Sequence, residues 1–265
     1  MEKGKAKPAL SEFGRKGCFN GKPENIPPKS WSKLFKCEIE PKVELPSHSV
    51  NDEWSMEWEP IKKFIIKHKV TMQGILSASQ IFAIHEYYGE KLKDKEIAIY
   101  TPVDARRIKN ANEEYRNHLF QNNAAVILPF CKKQKTILEQ IKHCQEKLIE
   151  ALNSSESFDS MMTSSNSVDE KTGKKINYEN FPDNAHDNIV FASHLGRVPE
   201  RENVRFGSYS PVIEWGYWPN LYAFHNSKKV GFTFVRPFNV DKRYVDCVIN
   251  NTYKFYDYIQ KDVSE

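Results

Sequence analysis

The stretch VTMQGILSASQIFAIHEYYG, residues 70–89, decides the fold more than any other part of this 265-residue sequence. Thr71 is a candidate N-cap near its start, and Gly89 is a candidate end. Between them, apolar and small residues recur at three- and four-residue spacing: Ile75, Leu76, Ser79, Phe82, Ala83 and Tyr87. The pattern predicts a buried helix, and its small residues let neighbouring elements pack closely.

The segments on the C-terminal side of this helix predict two strands and a second helix. KEIAIYTPVDARR, residues 95–107, is an apolar run closed by a proline, and it predicts a central strand. Its carboxyl end delivers Asp104 and Arg106 into a loop. NNAAVILPF, residues 122–130, predicts another strand, and QKTILEQIKHCQEKLIEAL, residues 134–152, predicts an amphipathic helix.

The last third of the sequence returns to strand patterns. NIVFASHLG, residues 188–196, NVRFGSYS, residues 203–210, and LYAFHNSKKVGFTFVRPF, residues 221–238, predict strands. The last of these contains a hairpin turn at Asn226 and Ser227. DKRYVDCVINNTYKFYDYI, residues 241–259, predicts a closing amphipathic helix.

This order of elements predicts the fold class and the domains. We expect an α/β fold, a two-layer sandwich with a mixed sheet and flanking helices. Residues 1–58 are rich in Pro, Gly, Lys and Ser and predict an extended N-terminal bridge segment. Residues 59–265 predict one lobe, interrupted by a mobile polar loop at 153–187.

Composition excludes several classes of function. A net charge of +4, from 39 basic and 35 acidic residues without a basic stripe, does not suggest nucleic-acid binding. No apolar run approaches the roughly 20 residues of a membrane helix, and the N-terminus lacks the apolar stretch of a signal peptide, so we expect a cytoplasmic protein. Five scattered cysteines indicate neither a disulfide framework nor a metal site.

Four segments, in this order, resemble the C-terminal lobe of the condensation-domain and alcohol acetyltransferase group within the chloramphenicol acetyltransferase-like superfamily. The helix at 70–89 resembles the family's T-x-x-x-L-x-A-A helix, and IAIYTPVDARRI resembles the P-V-x-x-R strand and loop after it. FQNNAAVILPF with its helix matches a strand near a Gly-Asn turn, and IVFASHLGRV matches the S-N-x-G strand end. NIPPKSWSKL resembles the start of the bridge between lobes. FQNN lacks the family's glycine, and Ser193-His194 replaces Ser-Asn.

The resemblance implies an acyltransferase of the alcohol O-acetyltransferase kind. Such enzymes transfer an acyl group from CoA or a carrier thioester to a hydroxyl or amine, and a histidine in His-His-x-x-x-Asp-Gly on the N-terminal lobe deprotonates the acceptor. No His-His occurs in this sequence. The implied partners are therefore an N-terminal acyltransferase lobe or a second copy of the chain, with acetyl-CoA or another acyl-CoA as co-substrate, a small alcohol as acceptor and no bound cofactor.

Two other hypotheses remain at this point. The chain is either a catalytically inactive half-fold that acts as a binding or scaffold module, or a globular protein outside this family. His48 and Asp52 form a His-x-x-x-Asp spacing, but Glu53 replaces the glycine and the position lies within the bridge. We therefore interpret His48 as a linker histidine.

The candidate site residues lie where predicted strands end: Asp104, Arg106, Ser193, His194 and Gly196. By resemblance, Arg106 supports the active-site loop or the contact between lobes, and the Ser193 region lines the acceptor channel. The alternative for Asp104 and Arg106 is a pair that closes a turn. The alternative for His194 is a hydrogen-bonded or exposed polar residue.

Other polar and aromatic residues predict structural roles. Trp215, Trp218, Tyr222 and Phe224 are expected to pack around the sheet edge. His143 is expected at the surface of its helix, and His225, beside the hairpin turn, is expected to be exposed.

Overall fold

The computed structural model describes residues 33, 49–104, 124–154, 189–198, 219–238 and 240–265. Seven strands of these residues form one sheet. Their bounds are β1 Ser49–Glu57, β2 Ile97–Asp104, β3 Ala124–Ile127, β4 Phe130–Cys131, β5 Ile189–Arg197, β6 Asn220–His225 and β7 Lys229–Pro237.

The sheet is mixed, as the sequence predicted. Its strand order is β1-β7-β6-β5-β2-β3, and β4 also pairs with β2. β2, β5 and β6 run parallel to one another, whereas β1 with β7, β6 with β7, and β2 with β3 and β4 are antiparallel. The carboxyl ends of three neighbouring strands therefore lie at one edge of the sheet.

Within the described residues, four α-helices and one short 3₁₀-helix accompany this sheet. They are α1 Trp58–His68, α2 Met72–Tyr88, the 3₁₀-helix Gly89–Leu92, α3 Ile137–Asn153 and α4 Lys242–Ser264. Local sequence sets their ends. The Thr71 hydroxyl accepts a hydrogen bond from Gly74 N at the start of α2, and Gly89, at a φ of 55°, follows its last residue. Thr136 and Glu139 form a capping box at the start of α3.

The main core lies between the helices and one face of the sheet. That face contributes alternate residues of the strands, such as Ile97 and Ile99 of β2, Val190 and Ala192 of β5, and Phe232 and Phe234 of β7. α2 packs among α4, α3 and β5, and nearly all of its first fourteen residues are buried. Helix and sheet thus form the two layers that the sequence predicted.

The opposite face of the sheet carries an aromatic cluster made of Tyr100, Phe191 and Tyr222. Phe191 stacks on Tyr100 with ring centroids 5.3 Å apart and contacts Tyr222 at 5.1 Å. Val235 packs against the same cluster. Tyr222 and Phe224 are buried, as expected, whereas Trp215 and Trp218 lie outside the described residues.

Several predicted elements differ in detail from the structure. The strand predicted at 122–130 is two short strands, β3 and β4, separated at Leu128 and Pro129. Pro129 has no N–H to donate, and its carbonyl accepts from Ile99 N instead. β1 lies within the predicted bridge segment and pairs with β7 over nine residues. The strand predicted at 203–210 and the loop predicted at 153–187, from residue 155 onward, lie outside the described residues.

None of the helices within the described ranges has the length and hydropathy needed to cross a membrane.

Removing a buried aromatic ring from β7 tests the core. Phe234 is 0% exposed, whereas Phe238, just beyond the end of the same strand, is 48% exposed. We expect Phe234→Ala to lower the free energy of unfolding by about 3–5 kcal/mol, because the lost contacts leave a cavity. Phe238→Ala, the matched control, should change it by less than about 0.5 kcal/mol. Urea denaturation followed by circular dichroism measures both, and equal effects would contradict this core.

Candidate functional site

The parallel strands β2 and β5 separate near their carboxyl ends. Their pairing is limited to Ala98–Tyr100 of β2 and Ile189–Phe191 of β5. Beyond this point β2 pairs with β3, and β5 pairs with β6. Thr101 is the first residue of β2 beyond the contact, and its hydroxyl is buried without a hydrogen-bond partner. A split between parallel strands at their carboxyl ends is where open α/β sheets bind ligands.

A side chain of α2 fills the place that the departing strand leaves. Gln73 lies in the first turn of α2, and its Nε2 donates to the carbonyl of Ala192 at 2.9 Å. Its Oε1 accepts from the backbone N–H of His194 at 2.8 Å. One amide thus satisfies a backbone acceptor and a backbone donor of β5 that would otherwise face the protein interior.

A β-bulge brings two histidines together at the end of β5. His194 pairs with Ala223, but Arg197, instead of Gly196, pairs with His225, so β5 contains one extra residue. Gly196 has a φ of 89°, a conformation that side chains rarely tolerate. His194 Nε2 then lies 3.1 Å from His225 Nδ1, and the two rings are inclined by only 19°. We call these two residues the imidazole pair.

Trp58, the first residue of α1, covers one member of the imidazole pair. Its ring stacks on His225 with centroids 4.0 Å apart and an interplanar angle of 21°. The Trp58 N–H donates to the carbonyl of Lys228, which ties α1 to the hairpin turn. On the other side, Val198 N donates to the His225 carbonyl at 2.7 Å. The position of His225 is therefore fixed from both α1 and β5.

The surroundings favour the neutral forms of both rings. Burial and, more weakly, the nearby His225 lower the pKa of His194 from 6.5 to about 4. Burial also lowers the pKa of His225, and the Arg197 guanidinium adds to this shift. Within the described residues, no carboxylate contributes to either shift. Two neutral imidazoles can form one N–H···N hydrogen bond, in which one ring donates and the other accepts.

Ser193 lies on the opposite face of the sheet from the imidazole pair. Its register partner is Tyr222, whose own partner across β6 and β7 is Thr233. Ser193 is 4% exposed and Thr233 is 0% exposed, and the Thr233 hydroxyl has no hydrogen-bond partner. These three residues thus form a row of hydroxyl groups, and its middle member, Tyr222, belongs to the aromatic cluster.

The structure brings together only some of the predicted site residues. Ser193, His194 and Gly196 lie at the carboxyl end of β5, with Ser193 and His194 on different faces. Asp104 ends β2 at the same edge of the sheet and pairs with Ala124. Arg106 and His48 lie outside the described residues, so the Asp104–Arg106 pair stays a prediction.

The expectation for one of two single histidines was wrong. His225 is half-buried and stacked, because the bulge on β5 and the start of α1 enclose it, so the expectation of an exposed residue was wrong. His143 is half-buried as well, and its Nε2 accepts from Lys132 N at 3.3 Å.

Sequence reasoning also missed Gln73 and Trp58, the two residues that hold the imidazole pair. Gln73 does not occupy one of the periodic positions of the helix, and this polar residue at the start of a buried helix was the one signal that the sequence offered. No group of three or more His, Cys, Asp and Glu side chains suited to a metal ion occurs in the part of the chain that the structure describes.

Truncating Gln73 tests the closure of the strand split. Gln73→Ala leaves the Ala192 carbonyl and the His194 N–H without their partner, and we expect the free energy of unfolding to fall by about 1–3 kcal/mol. Gln145→Ala is the matched control, because that amide donates a single hydrogen bond to the Lys69 carbonyl near the surface. Thermal and urea unfolding measure both, and a smaller loss for Gln73→Ala than for Gln145→Ala would contradict this role.

Acid should destabilise the protein through its buried histidines. Burial and, more weakly, the charge of Lys133 lower the pKa of His85 from 6.5 to about 4. The pKa of His194 is also lowered to about 4, mainly by burial. Between these pH values the unfolded chain binds more protons than the folded one, so stability should fall as the pH drops below about 6.5 and level off near 4. Urea midpoints across this range measure the loss. The double variant His85→Gln/His194→Gln should show a smaller loss, and an equal slope would contradict the assignment.

Comparisons with known proteins identify the fold. No family model matches the sequence, and no curated protein matches it. Among solved structures, the epimerization domain from the third module of tyrocidine synthetase B has a TM-score of 0.54 at 9% identity, covering 85% of this chain and 53% of that chain. The PapA2 acyl transferase has a TM-score of 0.54 at 11% identity, covering 86% and 48%.

A third solved structure concerns condensation domain-mediated chain release from the enacyloxin polyketide synthase. It has a TM-score of 0.51 at 12% identity, covering 81% of this chain and 41% of that chain. The present chain thus spans about half the length of the structures that it matches. Identities this low establish the fold and not the activity. The chain has the fold of one lobe of the condensation domains and chloramphenicol acetyltransferase-like acyltransferases.

Proposed function

We propose that this chain is the C-terminal lobe of an acyltransferase that transfers an acyl group from CoA to the hydroxyl of a small alcohol. The observation that carries the proposal is the split between β2 and β5, in a fold shared with acyltransferases. The lobe would act in the cytoplasm. It would need a second lobe, on the same polypeptide or another one, to supply the His-His-x-x-x-Asp-Gly histidine.

The residues around the split suit the two substrates of such a reaction. The aromatic cluster and the exposed side chain of Leu195 offer apolar contacts for an acyl chain. Ser193 and Thr101 bring hydroxyls that can hydrogen-bond to a carbonyl or an alcohol. Asp104, the last residue of β2, and Arg106, two residues later in the sequence, would support the loop that meets the second lobe.

A catalytically inactive half-fold that acts as a binding or scaffold module is the competing function. Such a module would bind acyl-CoA or a partner protein without turnover. It would keep the strand split as a binding cleft, so binding and catalysis must be measured separately.

The first experiment uses the protein as its source cell makes it. The polypeptide is captured with an antibody against this chain, sized, and mapped by peptides, and the preparation is then mixed with acetyl-CoA and a panel of small alcohols. We expect alcohol-dependent release of the CoA thiol, followed with a thiol reagent, and formation of the ester, followed by mass spectrometry. Acyl-CoA binding without thiol release would support the inactive half-fold instead.

A substitution at the split connects activity to this site. We expect Ser193→Leu to raise the KM for acyl-CoA or alcohol by about tenfold or more, because the larger side chain enters the row beside the aromatic cluster; a lost or added contact of this size is worth 1–3 kcal/mol. Ser55→Leu is the matched control, because Ser55 is exposed on β1, away from β5 in the sheet order. Unchanged kinetics in Ser193→Leu, with the fold intact by circular dichroism, would place the substrates elsewhere.

A further inference from the structure

We propose that the imidazole pair is a second proton-accepting site, carried by this chain itself, which takes the proton of a hydroxyl acceptor at His225 Nε2. The inference rests on the proposed acyl transfer. It adds a base to the histidine that the resemblance expects on the second lobe.

The contact between the two rings has the geometry of a proton path. His194 Nε2 and His225 Nδ1 are 3.1 Å apart, and the two rings are nearly parallel, inclined by 19° with their centroids 5.2 Å apart. In the described part of the chain, the outer nitrogens His194 Nδ1 and His225 Nε2 have no hydrogen-bond partner. The inner nitrogens therefore share one proton, and no described residue occupies either outer nitrogen.

Three contacts hold the imidazole pair in position. Gln73 fixes the backbone of His194, the Val198 N–H fixes the backbone of His225, and the Trp58 ring lies against the face of the His225 ring. An indole face attracts a cation, so Trp58 stabilises the His225 ring while that ring carries the accepted proton. A base held in one tautomer and one orientation is what proton transfer requires.

The charged groups around the pair keep it neutral until it reacts. Arg197 on β5 acts on His225, and His225 acts on His194. Burial, first of all, and then the charge of Arg197 favour the uncharged rings, which can accept a proton. Once one ring is charged, the second ring resists protonation, so the pair behaves as a one-proton base.

The alcohol oxygen attacks the thioester carbonyl carbon, and its proton goes to His225 Nε2. The Nδ1 proton of His225 moves to His194 Nε2, which leaves one positive charge on the pair. The carbon–sulfur bond then breaks, and the proton returns along the same path to the CoA thiolate, which restores the original tautomers and releases ester and free CoA.

Nitrogen NMR of histidine-labelled protein tests the pair without any substrate. We expect a scalar coupling between His194 Nε2 and His225 Nδ1 across the hydrogen bond at pH 7. We also expect both rings to titrate together, with a shared midpoint below 6.5, as one proton binds. Two independent midpoints near 6.5 with no coupling would overturn the inference.

Kinetics of conservative variants test the catalytic role. His225→Asn retains a group near the Nδ1 position, and His194→Gln retains one near the Nε2 position, so each keeps the contact but cannot relay a proton. Loss of a positioned base typically costs about 100-fold or more in rate, so we expect kcat to fall by that factor with KM little changed. Each variant should also remove the acidic limb that the pair contributes to the pH–rate profile.

His143→Gln is the matched control, because His143 is another half-buried histidine whose ring lies on α3. It should retain kcat within about twofold. If His225→Asn and His194→Gln also keep the wild-type kcat, the imidazole pair is structural and the inference fails while the proposed function stands. If the wild-type protein transfers no acyl group, the proposed function and the catalytic role fail together, although the NMR coupling can still show a pair that shares a proton.

Discussion

The two hydrogen bonds of Gln73 are the interaction on which the rest of this structure depends. When β5 leaves β2 after Phe191, its backbone loses the neighbour that a sheet interior normally provides. An unpaired buried carbonyl or N–H costs about 1–3 kcal/mol, so a substitute partner for these two groups stabilises the split. The primary amide of Gln73 offers one donor and one acceptor and can replace a strand at that point.

The position of Gln73 also fixes the helix that carries it. Thr71 caps α2 two residues earlier, so the first turn of α2 is held by the sheet and by its own cap. A Cβ at Gly74 would stand 3.4 Å from the Ile141 carbonyl, which shows how closely α3 lies on this turn. α2 is therefore enclosed by α3, α4 and the sheet, and this explains why its sequence shows little amphipathicity.

The sequence predicted the elements better than it predicted the site. The spacing of apolar residues, the helix caps and the turn residues are local signals. They located α2, β2 and the hairpin between β6 and β7, because the same residues determine those features in the structure. The imidazole pair depends on a one-residue bulge at Gly196 and on Trp58, 167 residues before His225 in the sequence (225 − 58). No local pattern encodes a contact of that kind, so His225 was expected in solvent.

The alternation of side chains along β5 separates two kinds of chemistry at one strand end. Ser193 borders the aromatic cluster, and His194 points to the helix side, where it meets His225. A carboxylate beside His194 would stabilise its charged form and raise its pKa, whereas a second neutral imidazole satisfies the ring without adding charge. Because both rings are desolvated, the neutral N–H···N arrangement has a lower free-energy cost of burial than an arrangement with a charged ring. The same arrangement keeps the pair ready to accept one proton, since its uncharged form predominates at neutral pH.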